Sequence, residues 1–168
     1  MCEMTRGFTL LELLITLVIL SLLLSVAAPS VTAVSSRNQM KSFAHEMSGF
    51  MAQARSEAIW RHQDLWAHID HETTDSWWLR LTDSNQPDAG EVVLHFPAER
   101  YRQLILTWTY SANKIKFSGQ RGRIKSGSLT FYSAMQPNTK LKIATSFGGN
   151  RVIVCGVDAS HYGFPACE

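Results

Sequence analysis

Charge is missing from one stretch of this chain and acid from another. No charged residue occurs between Leu13 and Ser36, and no acidic residue between Arg100 and Val157. An uncharged apolar run of more than about 18 residues is long enough to span the hydrocarbon core of a bilayer, so a simple cytosolic domain is excluded. Cysteine is also scarce. Three in 168 residues exclude a disulfide-dense scaffold and leave room for one bridge, which would place the folded part outside the reducing cytosol. The length suits one ordinary domain of about 100 to 150 residues plus an appendage. No long internal repeat or low-complexity tract is present.

What is there begins with a short polar segment, Met1 to Gly7, carrying Arg6, followed abruptly by the apolar run from Phe8. A secretory signal has a core of about 7 to 15 apolar residues before its cleavage site. The run here is longer and continues into a helical pattern, which favours a retained anchor over cleavage near Ala27-Ala28-Pro29. Glu12 stands out among Leu10, Leu11, Leu13, Leu14 and Ile15, with no basic residue between it and Arg37. A carboxylate in such a setting costs several kcal/mol unless it is paired, so a cation is to be sought. Cleavage between Gly7 and Phe8 would create an α-amino group four residues from Glu12, and a neighbouring subunit's amino group would serve equally well. The plainer reading is that Glu12 sits at the membrane interface and snorkels.

Beyond the apolar run, Met40, Phe43, Ala44, Met47, Phe50, Met51, Ala54 and Ala58 recur at three- and four-residue steps, with Lys41, Glu46, Arg55 and Glu57 between them. This spacing predicts one apolar stripe on a helix. A helix from Phe8 to about Arg61 would be roughly 80 Å long at 1.5 Å per residue. After Arg61 the pattern changes to short runs rich in β-branched and aromatic residues, separated by turn formers. Strands are predicted at 65–69, 77–81, 92–96, 104–108, 114–117, 128–132, 140–145 and 151–157. The expected fold class is α+β, a long N-terminal helix whose distal half packs on an antiparallel sheet.

Arg6-Gly7-Phe8-Thr9-Leu10-Leu11-Glu12 resembles the leader junction of type IV pilins and type II secretion pseudopilins. Nearer the helix end, Ala54-Arg55-Ser56-Glu57-Ala58-Ile59 is similar to the signature of the type II secretion protein H and FimT family of minor pilins. So is the strand-turn-strand from Phe117 to Phe131, with Gly122-Arg123 in its turn. The resemblance implies a prepilin peptidase that cuts after Gly7 and methylates Phe8. It implies that Glu12 neutralises a neighbour's amino terminus in filament assembly, and that Pro29 marks a kink in the stem, as expected of a helix-interior proline. The implied organisation is a leader at 1–7, a transmembrane and filament-core helix at 8–36, an amphipathic stem at 37–62 and a periplasmic β-rich domain at 63–168. The implied location is the bacterial inner membrane, single-pass, with assembly into a pilus or pseudopilus near its tip or initiation complex. The implied partners are other pilin or pseudopilin subunits and the peptidase. An alternative within the family is DNA uptake in natural transformation, with DNA as the partner.

Chemistry of other kinds finds little support. His62, His68 and His71 lie close in sequence, but on a strand His68 and His71 face opposite sides and no metal-ligand spacing is present, so solvated histidines are expected. Asp158, Ser160 and His161 are the residue types of a triad, too close together on a turn to reach its geometry. No catalytic residue, metal or cofactor is expected. Once the leader with Cys2 is removed, Cys155 and Cys167 remain. A bridge would staple a C-terminal loop to the last strand, while zinc shared with His161 would lack a ligand.

Charge, finally, is polarised. Residues 64–99 hold eight acids against Arg80 alone, and residues 100–157 hold ten bases. Lys114 and Lys116, like Lys140 and Lys142, are two apart and share a strand face. Arg121, Arg123, Lys125, Lys140, Lys142 and Arg151 are the candidate DNA-binding residues, with Tyr101, Phe117 or Phe147 near enough in sequence to stack on bases. The opposing reading is that the basic half pairs with its own acidic half or with neighbouring subunits. FimT-type pilins carry Gly-Arg-x-Arg before a C-terminal cysteine. Here Asn150 replaces the glycine and Ile153 the second arginine, leaving Arg151.

Overall fold

The computed structural model describes residues 9–73, 76–146 and 151–168; the side chains of residues 26–33, 72 and 73 lie outside the description. The described chain falls into two compact units, one up to Arg37 and one from Asn38 onward. Helix α1 (Leu10–Trp60) contributes to both.

From Leu10 to Leu24, in the first unit, α1 exposes apolar side chains on every side. Its large side chains from Leu10 to Leu24 are all at least half exposed. Thr9 caps its start, its Oγ1 accepting the backbone N–H of Glu12 at 3.2 Å, as an N-cap hydroxyl does for the third helical residue. Among the described residues no helix is long and apolar enough to cross a membrane; residues 26–33, in the middle of the uncharged run, have side chains outside the description. The bend expected at Pro29 falls among them.

In the second unit the predicted stripe is real. All eight of its residues, Met40 through Ala58, are buried. The eight expected strands are present as β1 (Leu65–Thr73), β2 (Ser76–Thr82), β3 (Val92–His95), β4 (Leu104–Trp108), β5 (Lys114–Phe117), β6 (Gly127–Ser133), β7 (Leu141–Ser146) and β8 (Arg151–Gly156). They form not one sheet but two four-stranded antiparallel sheets, in the orders β3-β2-β1-β5 and β4-β6-β7-β8. Phe43 of α1 joins both to the helix. Its ring lies edge-on to Trp77 of β2 at 5.8 Å and to Phe131 of β6 at 4.5 Å, and also meets Phe96 and Tyr101. Alternation decides the faces. In β2, Trp77, Leu79 and Leu81 point to the core, so Trp78 and Arg80 point away from it, and Arg80 stacks its guanidinium 4.0 Å from the Trp78 ring.

Candidate functional site: a basic groove

The outward face of the first sheet ends at β5, whose Lys114 and Lys116 alternate with buried Ile115 and Phe117. Register places Trp66 of β1 beside Lys116 and His68 beside Lys114. After β5 the chain turns through 118–122 and returns along the strand's free edge. Ser118 N–H donates to Arg123 O, Lys125 N–H donates to Lys116 O, both at 2.9 Å, and Phe117 bridges Ile124. The returning segment brings Arg121, Arg123 and Lys125 alongside Lys114 and Lys116.

Two glycines make that turn possible. Gly119 lies so close to the end of α1 that a Cβ would meet the Gln63 backbone at 2.4 Å. Gly122 has φ +58, and a Cβ there would meet Ile59 Cδ1 at 2.6 Å and Arg55 Nε at 3.0 Å; only glycine suits both the conformation and the space. The turn is tied down at its base. Asp64 Oδ1 accepts Gly119 N–H at 3.0 Å, and Asp64 Oδ2 pairs with Lys116 Nζ at 2.6 Å. Chiefly through the Lys116 hydrogen bond, and against the upward push of burial, the Asp64 carboxyl is held below its ordinary value.

The result is a groove of about 490 Å³ lined by Lys114, Lys116, Arg121, Arg123 and Lys125, with Trp66, Asn85, Ser118 and Gln120 completing its wall. Five cations and no carboxylate line it. A second depression of about 540 Å³ shares Trp66, Lys116, Ser118 and Gln120 with it, and there the carboxylates Asp64, the partner of Lys116, and Asp83 join the lining. Several cations are held in place: Lys114 Nζ donates to Asn85 O at 3.1 Å, Lys125 Nζ bonds Ser111 Oγ, and Lys116 Nζ lies 5.7 Å from the centre of the Trp66 ring. Such a surface attracts anions.

The expected site residues therefore divide. Arg121, Arg123 and Lys125 meet in the groove with Lys114 and Lys116. Lys140, Lys142 and Arg151 do not line it. Lys142 and Arg151 lie on the second sheet, in register with Cys155 and Ser146, and Lys140, just before β7, covers the Tyr132 ring at 5.2 Å. The aromatic residues expected to stack on bases are corrected. Tyr101 and Phe117 are buried, and the Tyr101 hydroxyl is pushed up to about 12 by that burial and by its hydrogen bond to Glu46. Phe147 lies outside the described residues. Trp66, half-buried in the groove, is the aromatic that sequence reasoning missed. Its only signal was its place opposite a β5 lysine, which is a matter of strand pairing.

One histidine is also corrected. His68 is buried, not solvated, because the loop after β2 folds over it and Ser84 O lies 2.9 Å from its Nε2. His71 is exposed and stacks on Trp108 at 4.8 Å. Among the described residues no cluster of His, Cys, Asp and Glu could hold a metal ion. Cys155 and Cys167 are joined in a disulfide. Gly7 and Phe8 lie outside the described residues, and Glu12 occupies the first turn of α1. There it stands three residues after the cap Thr9, the spacing at which a glutamate completes a capping box.

Residues 44–149 match the family described as Type II transport protein GspH, and residues 4–28 match the prokaryotic N-terminal methylation motif. The fold is similar to that of the type IV minor pilin FimU of Pseudomonas aeruginosa, with a TM-score of 0.59 and 14% identity over 76% of this chain and 99% of that one. The minor pseudopilin EpsH from the Type 2 Secretion System of Vibrio cholerae is similar at a TM-score of 0.46 and 13% identity, over 69% and 95% of the two chains. No curated protein matches the chain.

Proposed function

We propose, from the premise that the chain belongs to the type II transport protein GspH family, that it is a minor pilin or pseudopilin acting by subunit packing and without catalysis. In this reading a prepilin peptidase removes residues 1–7 and methylates Phe8. Residues 8–36 anchor the subunit in the inner membrane and later enter the filament core, residues 37–62 form its stem, and residues 63–168 are periplasmic. The subunit joins other pilin or pseudopilin subunits near the tip or initiation complex of a type IV pilus or type II secretion pseudopilus. The observation that carries the reading is the all-round apolar surface of α1 from Leu10 to Leu24. A helix apolar on every side is covered by lipid or by other helices, and the motif at residues 4–28 stands at its entrance. Glu12, inside that surface, then finds the amino group of a neighbour.

Mass spectrometry of the membrane-extracted protein tests the processing, with a mature chain beginning at Phe8 expected and Gly7→Arg blocking it; an intact Met1 or a terminus near Ala28 would sink the idea. Glu12→Ala should leave insertion and the melting of the β-rich unit unchanged. Crosslinking to partner subunits should fall about tenfold or more, as expected when a membrane carboxylate loses its pairing role. Undiminished crosslinking would remove that role from Glu12.

A second reading is favoured by the groove of five cations without a carboxylate: the basic half contacts DNA, as a subunit serving DNA uptake would. Binding by the full chain in neutral detergent should weaken steeply with salt, because counterions are released.

A further inference from the structure

We infer that the Trp66 groove is a stacking site for a single-stranded nucleic acid, a reading that rests on DNA contact by the basic half and deepens it. Cations alone do not select among anionic ligands; Trp66 does. Its indole is half-buried in the wall of a groove whose cations flank it, an arrangement that joins a charged track for phosphates to a flat surface for a ring. That pairing is how proteins hold single strands. The side chains of Asn85 and Gln120, in the same wall, supply donors and acceptors for the edge of the stacked ring.

A duplex reaches the cations but not the indole, because its base faces are stacked on one another inside the helix. An unpaired base has a free face and is the form that aromatic side chains capture. An acidic peptide would satisfy the cations and leave Trp66 unused. The site is distinct from Lys142 of β7 and from Arg151 at the start of β8, which lie on the second sheet, and from Lys140 just before β7.

The experiment uses full-length protein in neutral detergent and the fluorescence anisotropy of labelled oligomers. The probes are a thymidine strand of about 16 nucleotides, the upper site size of one binding module, an abasic phosphodiester of equal length, and a duplex. The thymidine strand should bind about 5- to 150-fold more tightly than the abasic one, the range that a single base–aromatic stack supplies. Trp66→Ala should abolish that difference while leaving abasic binding and its salt slope unchanged, and Trp66→Phe should retain most of it. Arg121→Glu with Lys125→Glu should weaken both oligomers and flatten the salt slope by about 0.7 per cation lost. Melting curves matching wild type establish that each variant is folded.

Equal binding of the thymidine and abasic strands, unaffected by Trp66→Ala, would overturn the stacking site while leaving DNA contact standing. Displacement of the strand by equimolar thymidine monophosphate would overturn the strand in favour of a free nucleotide. If no oligomer binds at low salt and polyglutamate does, DNA contact and the stacking site fall together, and the groove is a dock for an acidic protein.

Discussion

The two halves of α1 are built on opposite plans. From Leu10 to Leu24 its large apolar side chains are between 50% and 77% exposed, whereas from Met40 to Ala58 the stripe is buried, no member above 8%. The second half is amphipathic because sheets of the same chain cover one side of it. The first exposes its large apolar side chains from Leu10 to Leu24, the surface of a helix that lipid or other helices cover. A helix of this kind derives little of its stability from packing within its chain, and substitutions in the two halves should be felt in different measurements.

The largest effect should follow from Phe43→Ala. The ring is fully buried and meets aromatic rings from both sheets and the segment between them, so its removal should cost about 3 to 5 kcal/mol, read by denaturant unfolding of the full chain in detergent. Leu14→Ala, at a position 51% exposed, should leave that unfolding transition where it was. Equal losses from both variants would break the contrast between the halves.

A smaller effect, about 2 to 4 kcal/mol, is expected on replacing Cys155 and Cys167 together by Ser. The bridge closes a segment whose backbone also bonds to the end of β8: Gly156 N–H donates to Pro165 O at 2.7 Å and Cys167 N–H to Gly156 O at 2.9 Å. The variant should melt earlier and exchange the Gly156 and Cys167 amides faster, while crosslinking through the N-terminal helix stays at wild-type levels. Unchanged melting would mean that those hydrogen bonds hold the segment without the bridge.

How much of this was legible in the sequence follows from the range over which each feature is decided. The stripe from Met40 to Ala58 and the eight strands are local patterns of period and turn residues, and they were readable. The division into two sheets was not, because β1 pairs with β5, Leu65 with Phe117 and His68 with Lys114, far apart in sequence, and no local pattern records that choice. The groove was half-readable for the same reason. The alternation of Lys114 and Lys116 predicts their shared face, and the glycines at 119 and 122 mark a turn, but where Arg121, Arg123 and Lys125 go after it is decided by the pairing of that segment with β5. Trp66 enters through register alone. Tyr101 and Phe117 looked available for stacking because nearness in sequence to basic residues says nothing about which way an aromatic ring faces, and both face the core. His68 misled in the other direction: it stands on the outward face of its strand, and a loop that covers it makes that face an interior.

The smallest expected effect lies at the foot of the groove, in the pair of Asp64 and Lys116. Lys116 holds the Asp64 carboxyl below its ordinary value, with Gly119 N–H helping and burial opposing. A carboxyl lowered on folding contributes stability above its unfolded value, near 4, and loses it as pH falls through the folded value. Both side chains are more than a third exposed, at 47% for Lys116 and 35% for Asp64, so solvent screening keeps the contribution below about 1 kcal/mol. Asp64→Asn should therefore lower stability slightly at pH 7 and by progressively less as pH falls through the folded value of the carboxyl, where Asp64 has itself been protonated. The same substitution frees Lys116 for the groove. Anion binding at pH 7 should strengthen, with a salt slope steeper by up to about 0.7 for a single strand, as melting falls slightly. Opposite signs in the two measurements would tie the pair to the groove, and a fall in both would make Asp64 a support for the 118–122 turn through its bond to Gly119.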